Sequence, residues 1–419
     1  MNDMERQALR WIDAHSDELF ALLSRMIRFD SQNLAGDGRE EALAEYMAQL
    51  YREADLETEV FCPDSVPGLC ESRLYWPGHN TDRRPDVTGV WKGIPGRGRV
   101  MLAAHTDTMP VGDEAAWTKP PFGGVMENGR IYGLGSGDNK ASLAAAYFAL
   151  RALKETGFTP KKDIVLGAYC DEEYGGGNGA LGLVMRQPCD DYLNLDGSGY
   201  EMWATALGGG VFRVELKLDH VTDDCSAIYR ALQLTMDALE AFGQRRRDEL
   251  AANPYYAGTQ TQRSAYRVAA FGNHPDSHEK AYVDFVIYTM SSREKIYREL
   301  QDLLDGLQAD YQRLGVCEAK FIGTSRFFDY GESDTARGAF PLMKQCAEEA
   351  CGHEVRVCGS CLTDLSAILA QGGNRCFNFG IFRDFSLPGG AHQPDEYVEC
   401  SQLMEFTRAL ALFLLRYCA

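Results

Sequence analysis

Two apolar runs constrain this chain more than any other feature. RVMLAA at 99–104 and IVLGAYC at 164–170 are short and nearly free of polar residues, and each stops abruptly on groups that carry chemistry. Such runs read as strands covered on both faces, which need helices above and below them. The rest of the chain supplies the pattern: helices are expected at about 4–29, 38–54, 139–156, 335–351 and 363–371. Extended stretches are expected at 57–61, 86–91, 191–196, 355–357 and 375–380, with a Pro/Gly-rich excursion from 62 to 84. The turn KGIPGRG suggests a hairpin pairing 86–91 with 99–104. Alternating strands and amphipathic helices imply an α/β fold, a mixed sheet with helices on both faces.

The character changes near Ala206. A clean alternation, VFRVELKL, is followed by a helix at about 225–250, the extended stretches SAYRVAAFG and YVDFVIYTM, a helix at about 291–314 and the strand CEAKFIG. This βαββαβ order predicts an inserted α+β domain over 206–323, dividing a larger domain into 1–205 and 324–419.

Composition narrows the function. A formal charge of −19 opposes nucleic-acid binding, which needs a basic face to displace counterions. The charged N-terminus lacks a signal-peptide core, and no run approaches the roughly 18 apolar residues of a membrane span. The 13 cysteines, scattered and odd in number, fit a reducing compartment. A cytoplasmic protein without membrane or nucleic-acid partners is expected.

The chemistry gathers at strand ends. In LAAHTDT, His105 and Asp107 stand two apart, so a strand places both on one face, where Asp107 can hold the second ring nitrogen of a ligand histidine. In GLGSGDNK, Asp138 precedes a helix, a position equally suited to a simple N-cap. The loop does not meet the dinucleotide fingerprint G-x-G-x-x-G. CDEEYGGG sets Asp171, Glu172 and Glu173 side by side, where their charges repel unless cations sit nearby. Adjacent carboxylates can divide the work, one binding metal while the other moves a proton. Asp196 ends YLNLD, and His392 follows a glycine pair in PGGAHQPDEYV. Cys358–Cys361 form C-G-S-C without a second ligand pair at zinc spacing, and are read as packing.

Taken in order, H-x-D, G-x-G-D-x-K, E-E, Asp and A-H-x-P-D-E-Y resemble the dizinc peptidase and deacylase family of acetylornithine deacetylase, succinyl-diaminopimelate desuccinylase, aminoacylase and glutamate carboxypeptidase. The turn at Thr363–Asp364 also fits that family. The resemblance implies a zinc-exopeptidase-like catalytic domain with an inserted lid and dimerisation domain, hence a homodimer. It implies two divalent ions, Zn²⁺ in the first place, with Co²⁺ or Mn²⁺ able to use the same donors. Asp138 would bridge them, His105 and Asp196 completing one site and Glu173 and His392 the other. Asp107 would orient His105, and Glu172 would be the general base for a metal-bridging hydroxide attacking an amide of an N-acyl amino acid or small peptide. The same superfamily contains ureido amidohydrolases, and a catalytically silent binding relative is the alternative of a different class.

Two departures concern the substrate. The family's lid histidine corresponds to His220 in LDHVTDDCSAI, a shorter stretch without the usual Pro and Gly. At the place of the family's carboxylate-gripping arginine stands Tyr288, with Arg293, Arg267 or Arg263 as substitutes.

Overall fold

The computed structural model describes residues 1–34, 37–175, 177–220, 226–274 and 277–419. The chain divides into two compact units, Met1–Ala204 with Glu332–Cys358 and Ala367–Ala419, and Thr205–Gly331 with Gly359–Ser366.

The first unit is built on a mixed sheet in the order Glu57–Phe61, Asp86–Trp91, Asp163–Tyr169, Arg99–His105, Asp191–Asn194, Cys376–Gly380, Glu201–Ala206. The strand ending in His105 is parallel to both neighbours, with His105 opposite Tyr169 and Ala103 opposite Asn194. Carboxyl ends of three strands therefore meet at one edge, where ligands bind in open α/β sheets. The Ala-rich helix Lys140–Glu155 is buried over most of its circumference, as a helix held between a sheet and other helices must be. The C-terminal helix Cys400–Tyr417 packs on it. Helix Asn178–Arg186 packs on the sheet too, and Gly179 lets it approach: a Cβ there would lie 2.0 Å from the Cys170 carbonyl oxygen.

The expected hairpin between 86–91 and 99–104 does not form. Asp163–Tyr169 lies between the two, antiparallel to the first and parallel to the second. Both strands are buried on both faces, which places them inside the sheet without saying which strand is their neighbour, and the apolar run Asp163–Tyr169 takes the place between them. The long N-terminal helix is two, Asp3–Ala14 and Ser16–Ile27, broken at His15, whose ring stacks on Trp11. Helix Asn178–Arg186, strand Glu201–Ala206 and a small sheet of Val125–Glu127, Arg130–Tyr132 and Tyr397–Glu399 carry no clear sequence periodicity and were not expected.

The second unit has the expected βαββαβ order. Its antiparallel sheet runs Tyr266–His274, Ser277–Thr289, Gly208–Leu218, Val316–Gly323, with helices Ser226–Ala251 and Arg293–Arg313. Phe212, Val214, Leu216 and Leu218 alternate into a core shared with Val283, Phe285, Ile287 and Leu300. Residues 221–225, which include the first residue of the helix expected from 225, lie outside the described residues. Among the described residues, no helix is long and apolar enough to cross a membrane.

Candidate metal centre

Each proposed ligand stands where the chain leaves the carboxyl edge of the sheet or turns back onto it. His105 is the last residue of its strand, Glu173 lies four residues beyond Tyr169, and Asp196 two beyond Asn194. Asp138 comes from the glycine loop before helix Lys140–Glu155. Gly135 has φ +74°, and a Cβ there would meet Thr108 Cγ2 at 2.4 Å, so the loop folds tightly only with glycine. Asp138 is not the N-cap of that helix; Asn139 holds the position without a side-chain cap bond.

The Asp138 carboxylate is shared between two histidines. Its Oδ1 lies 2.9 Å from His105 Nε2, and its Oδ2 lies 3.4 Å from His392 Nε2. His392 Nε2 is 2.7 Å from Glu173 Oε2, and His105 Nε2 is 4.0 Å from Asp196 Oδ1. The five residues thus form two groups, His105 with Asp196 and His392 with Glu173, joined by Asp138. Among the described residues, donor atoms of His105, Asp138 and Glu173 lie within 4.8 Å of one another.

Asp107 does more than face His105. The ring Nδ1 is 3.0 Å from the Asp107 backbone oxygen and 3.5 Å from its carboxylate Oδ1, which fixes Nδ1 as donor and leaves Nε2 for the centre. The other carboxylate oxygen accepts the backbone N–H groups of Glu172 at 2.9 Å and Glu173 at 3.0 Å, and Asn33 Nδ2 at 2.9 Å. One buried aspartate therefore holds both His105 and the turn that carries Glu172 and Glu173.

The electrostatics call for cations. Burial and then the charge of Asp138 raise the Glu173 carboxyl, and the same two causes lift Asp196 to about 7. Burial opposes charge on Asp138 as well, but hydrogen bonds from His105 and His392 hold it below the usual carboxylate range. Burial lowers His392, yet Glu173 and Asp138 carry it to about 11. Burial alone would raise Asp107, which the His105 hydrogen bond and charge, with Arg84, hold down at about 2. Three buried carboxylates and two imidazoles, without a thiolate, are a donor set suited to divalent ions that prefer oxygen and nitrogen.

The three consecutive acids separate. Asp171, at φ +65°, turns inward and accepts Arg84 Nη2 at 3.0 Å, His79 Nδ1 at 2.9 Å and Asn33 Nδ2 at 3.3 Å. Arg84 is also paired with Glu40, Nη2 to Oε1 at 2.7 Å and Nε to Oε1 at 2.9 Å, and all three side chains are fully buried. A second buried carboxylate, Glu396, grips the glycine loop: Oε2 accepts Gly135 N–H at 2.9 Å, and Oε1 accepts Gly137 at 2.8 Å and Asp138 at 3.1 Å. Sequence reasoning missed Asn33, Glu40, His79, Arg84 and Glu396. Only Glu396 had a signal, its place in the A-H-x-P-D-E-Y motif.

The substrate candidates belong to the second unit. His220 follows strand Gly208–Leu218, its ring 73% exposed and 3.5 Å from Asp219. Arg293 opens helix Arg293–Arg313, its guanidinium 5.1 Å over the Tyr297 ring. Arg267 lies 5.8 Å over the Tyr288 ring, and Arg263 donates to the Gly258 carbonyl. Cys358 faces Glu201 at 3.3 Å, and the described cysteines are free thiols. Thr363 Oγ1 accepts the Leu365 N–H at 3.1 Å, in the turn that leads into helix Leu365–Gly372.

The profile of peptidase family M20/M25/M40 matches residues 101–416. N-formyl-4-amino-5-aminomethyl-2-methylpyrimidine deformylase of Halalkalibacterium halodurans is 24% identical over an alignment of 446 residues, spanning 98% of this chain and 97% of that one. N-fatty-acyl-amino acid synthase/hydrolase PM20D1.1 of Danio rerio is 40% identical over 84 residues, a match spanning 20% of this chain and only 16% of that protein. The solved di-peptidase Dug1p of Saccharomyces cerevisiae shares the fold with a TM-score of 0.72 at 15% identity, over 99% of this chain and 98% of that one.

Proposed function

The chain belongs to peptidase family M20/M25/M40, and from that premise we propose that it is a two-metal hydrolase of an amide bond in an N-acyl amine, N-acyl amino acid or small peptide. Hydrolysis of peptide or acyl amides is the activity of its family; the metal count, residue roles and substrate are our reading. The observation that carries it is the division of the Asp138 carboxylate between His105 and His392, each with its own further carboxylate. A deformylase, an acyl-amino-acid synthase/hydrolase and a di-peptidase among the relatives support an amide carbonyl as the group acted on.

His105, Asp138 and Asp196 would hold one ion, and Glu173, Asp138 and His392 the other. Two divalent ions supply a carbonyl-polarising charge and a water acidified toward neutral pH. Zn²⁺ suits the donors first, with Co²⁺ or Mn²⁺ as alternatives. The chain's own part is positional and protonic. Glu172 follows Asp171 on a turn whose N–H groups are tied to Asp107, so its carboxylate is presented from a fixed backbone. It takes a proton from the attacking water and returns it to the leaving amine nitrogen, so no net proton is gained by the protein. The inserted unit is proposed to pair two copies; its edge strand Tyr266–His274 exposes Phe271 and Val268. His220 and Arg293 are kept as substrate-binding proposals, and a cytoplasmic location as an expectation of the charge and cysteine pattern.

Metal analysis of loaded protein should give about two ions per chain. Glu172→Gln should keep both and lose about 10²–10⁴-fold in kcat against N-acyl amino acids or dipeptides, with released amine as readout. A folded protein that hydrolyses amides without metal, or Glu172→Gln at wild-type rate, sinks this reading.

A further inference from the structure

The residues of the metal centre are not equally open. The side chains of His105, Asp138, Glu173 and Asp196 are 1%, 6%, 2% and 7% exposed, whereas that of His392 is 33% exposed. Within this unit, access to the centre therefore runs past His392. What lies there is apolar. The Phe385 ring sits 4.8 Å from the His392 ring, tilted by 53°, and is itself 43% exposed; Leu387, two residues further along the same loop, is 42% exposed. Phe385 rests at 5.1 Å on Phe382, which is buried and meets Trp203 edge-on at 5.9 Å. An aromatic stack thus runs from the core to the open ligand.

The loop that carries Phe385 is closed on itself. Ser386 N–H donates to Asp384 Oδ1 at 2.8 Å, Leu387 N–H to the Asp384 carbonyl at 3.0 Å, and Gly390 N–H to the Leu387 carbonyl at 2.9 Å. Arg383 Nε donates to the Pro388 carbonyl at 2.9 Å, and Gln393 Nε2 donates to that of Phe385. Gly390 fits only because a Cβ there, 2.1 Å from the Asp384 oxygen, is missing. These bonds shape the loop, which exposes the phenyl ring of Phe385 and the isobutyl group of Leu387 alongside Asp384 and Ser386, the latter two hydrogen-bonded to each other.

We propose, on the basis of the hydrolase reading above, that Phe385 and Leu387 wall an apolar subsite at the His392 side of the centre, so that one group flanking the scissile amide is a bulky aromatic or branched aliphatic one rather than a charged one. The fixed ring gives such a group a flat apolar surface beside the reacting carbonyl. A carboxylate there would lose hydration against two hydrocarbon side chains and gain no partner from them.

The test uses the full-length, metal-loaded protein and two substrate series. N-acetyl-, N-isovaleryl-, N-benzoyl- and N-succinylglycine vary the acyl side; Ala-Gly, Ala-Leu, Ala-Phe and Ala-Asp vary the amine side. In one series, which identifies the side, kcat/KM should favour the bulky apolar member over the charged one by about tenfold or more. Phe385→Ala should reduce the bulky-to-small ratio in that series by about tenfold, and Phe385→Leu should restore most of it. Ile94→Ala, at an exposed residue of the turn between strands Asp86–Trp91 and Arg99–His105, should leave the ratio as it was. An unchanged ratio in Phe385→Ala, or preference for the charged member in both series, overturns the subsite. If neither series is hydrolysed, the hydrolase reading fails by itself, and calorimetric binding of benzoate against succinate decides the subsite. Tighter benzoate binding that Phe385→Ala abolishes supports it; equal binding, or binding indifferent to the substitution, overturns it.

Discussion

Replacing Glu396 by Gln tests whether the glycine loop is held for the sake of Asp138. In the native protein three backbone N–H groups end on one buried carboxylate, two on Oε1 and one on Oε2. Glutamine can keep its oxygen on the Gly137 and Asp138 side, but those bonds lose their charge assistance, about 1 kcal/mol each. Its amide nitrogen then faces the Gly135 N–H, leaving a buried donor opposite a donor at a cost of about 1–3 kcal/mol. Against this stands a gain. Burial, and then the charge of Asp138, push the Glu396 carboxyl up to about 7 despite the three N–H groups, so the neutral amide is relieved of part of a buried charge. Taking the offset as half the loss leaves a net cost of about 2 kcal/mol, or about 30-fold in an equilibrium constant. That loss should appear where the loop matters, as roughly 30-fold weaker metal binding at the pair of sites that Asp138 is proposed to share, in the range expected for groups that orient ligands. Competition with a chromophoric chelator measures the affinity, and the visible spectrum of the Co²⁺ form reports altered coordination, which a merely less stable fold would not produce. A Glu396→Gln protein with native metal affinity and a native Co²⁺ spectrum refutes the reasoning, whatever its thermal stability.

Three further outcomes follow from paired and titrating groups of the first unit. Arg84→Met removes the cation shared by buried Glu40 and Asp171, and should cost about 3–5 kcal/mol in denaturant unfolding of the first unit; the double variant Arg84→Met/Glu40→Leu should recover part of it, and a loss below about 1 kcal/mol contradicts the pairing. Metal loading must displace the protons that burial and Asp138 hold on Asp196 near pH 7, and that Glu173 and Asp138 hold on His392. Zn²⁺ binding at pH 7 should therefore release protons and tighten as pH rises, measurable by calorimetry in buffers of different ionisation enthalpy. The Arg416 hydrogen bond lowers the Glu5 carboxyl from its ordinary 4.5, so the folded-state pKa is the lower one. The stability that pair contributes is then fully present above about pH 4.5 and lost as pH falls through the folded value. Wild type should exceed Glu5→Gln in unfolding midpoint at pH 7, with the gap closing in acid; a gap that widens in acid is incompatible with the pair.

What the sequence revealed of the fold follows from where local pattern decides. Alternation in VFRVELKL places four side chains in the core of the second unit, as the period of two requires, and the whole βαββαβ order could be read. The hairpin error has the opposite cause. Neighbours in sequence usually pair, but a run buried on both faces carries no mark of which strand lies on either edge, and Asp163–Tyr169 entered between two strands joined by a short turn. Helix Asn178–Arg186 was hidden for another reason: it is only nine residues long, and two of them are glycines, of which Gly179 lets it approach Cys170 and Gly182 lies against Pro63.

At the site, residues that end apolar strands were legible and those that hold them were not. His105, Glu173 and Asp196 are announced by the hydrophobic run before them, because the sheet's carboxyl edge is a place that pattern can locate. Arg84, His79, Glu40 and Asn33 come from an irregular excursion, a helix start and a loop, and only the tertiary fold makes them neighbours. Their presence also answers how Asp171, Glu172 and Glu173 can stand side by side. In an extended chain the first and third would share one face and both add charge to the centre. The left-handed backbone at Asp171 ends that alternation, at a residue type that accepts such a conformation more readily than most. Its carboxylate goes back to Arg84 and His79, while the next two amides go to Asp107. Asp171 is thereby withdrawn from the cluster and compensated, which leaves Asp138, Glu173 and Asp196 as the carboxylates grouped with His105 and His392, and leaves Glu172 outside that pairing for the proton role proposed for it.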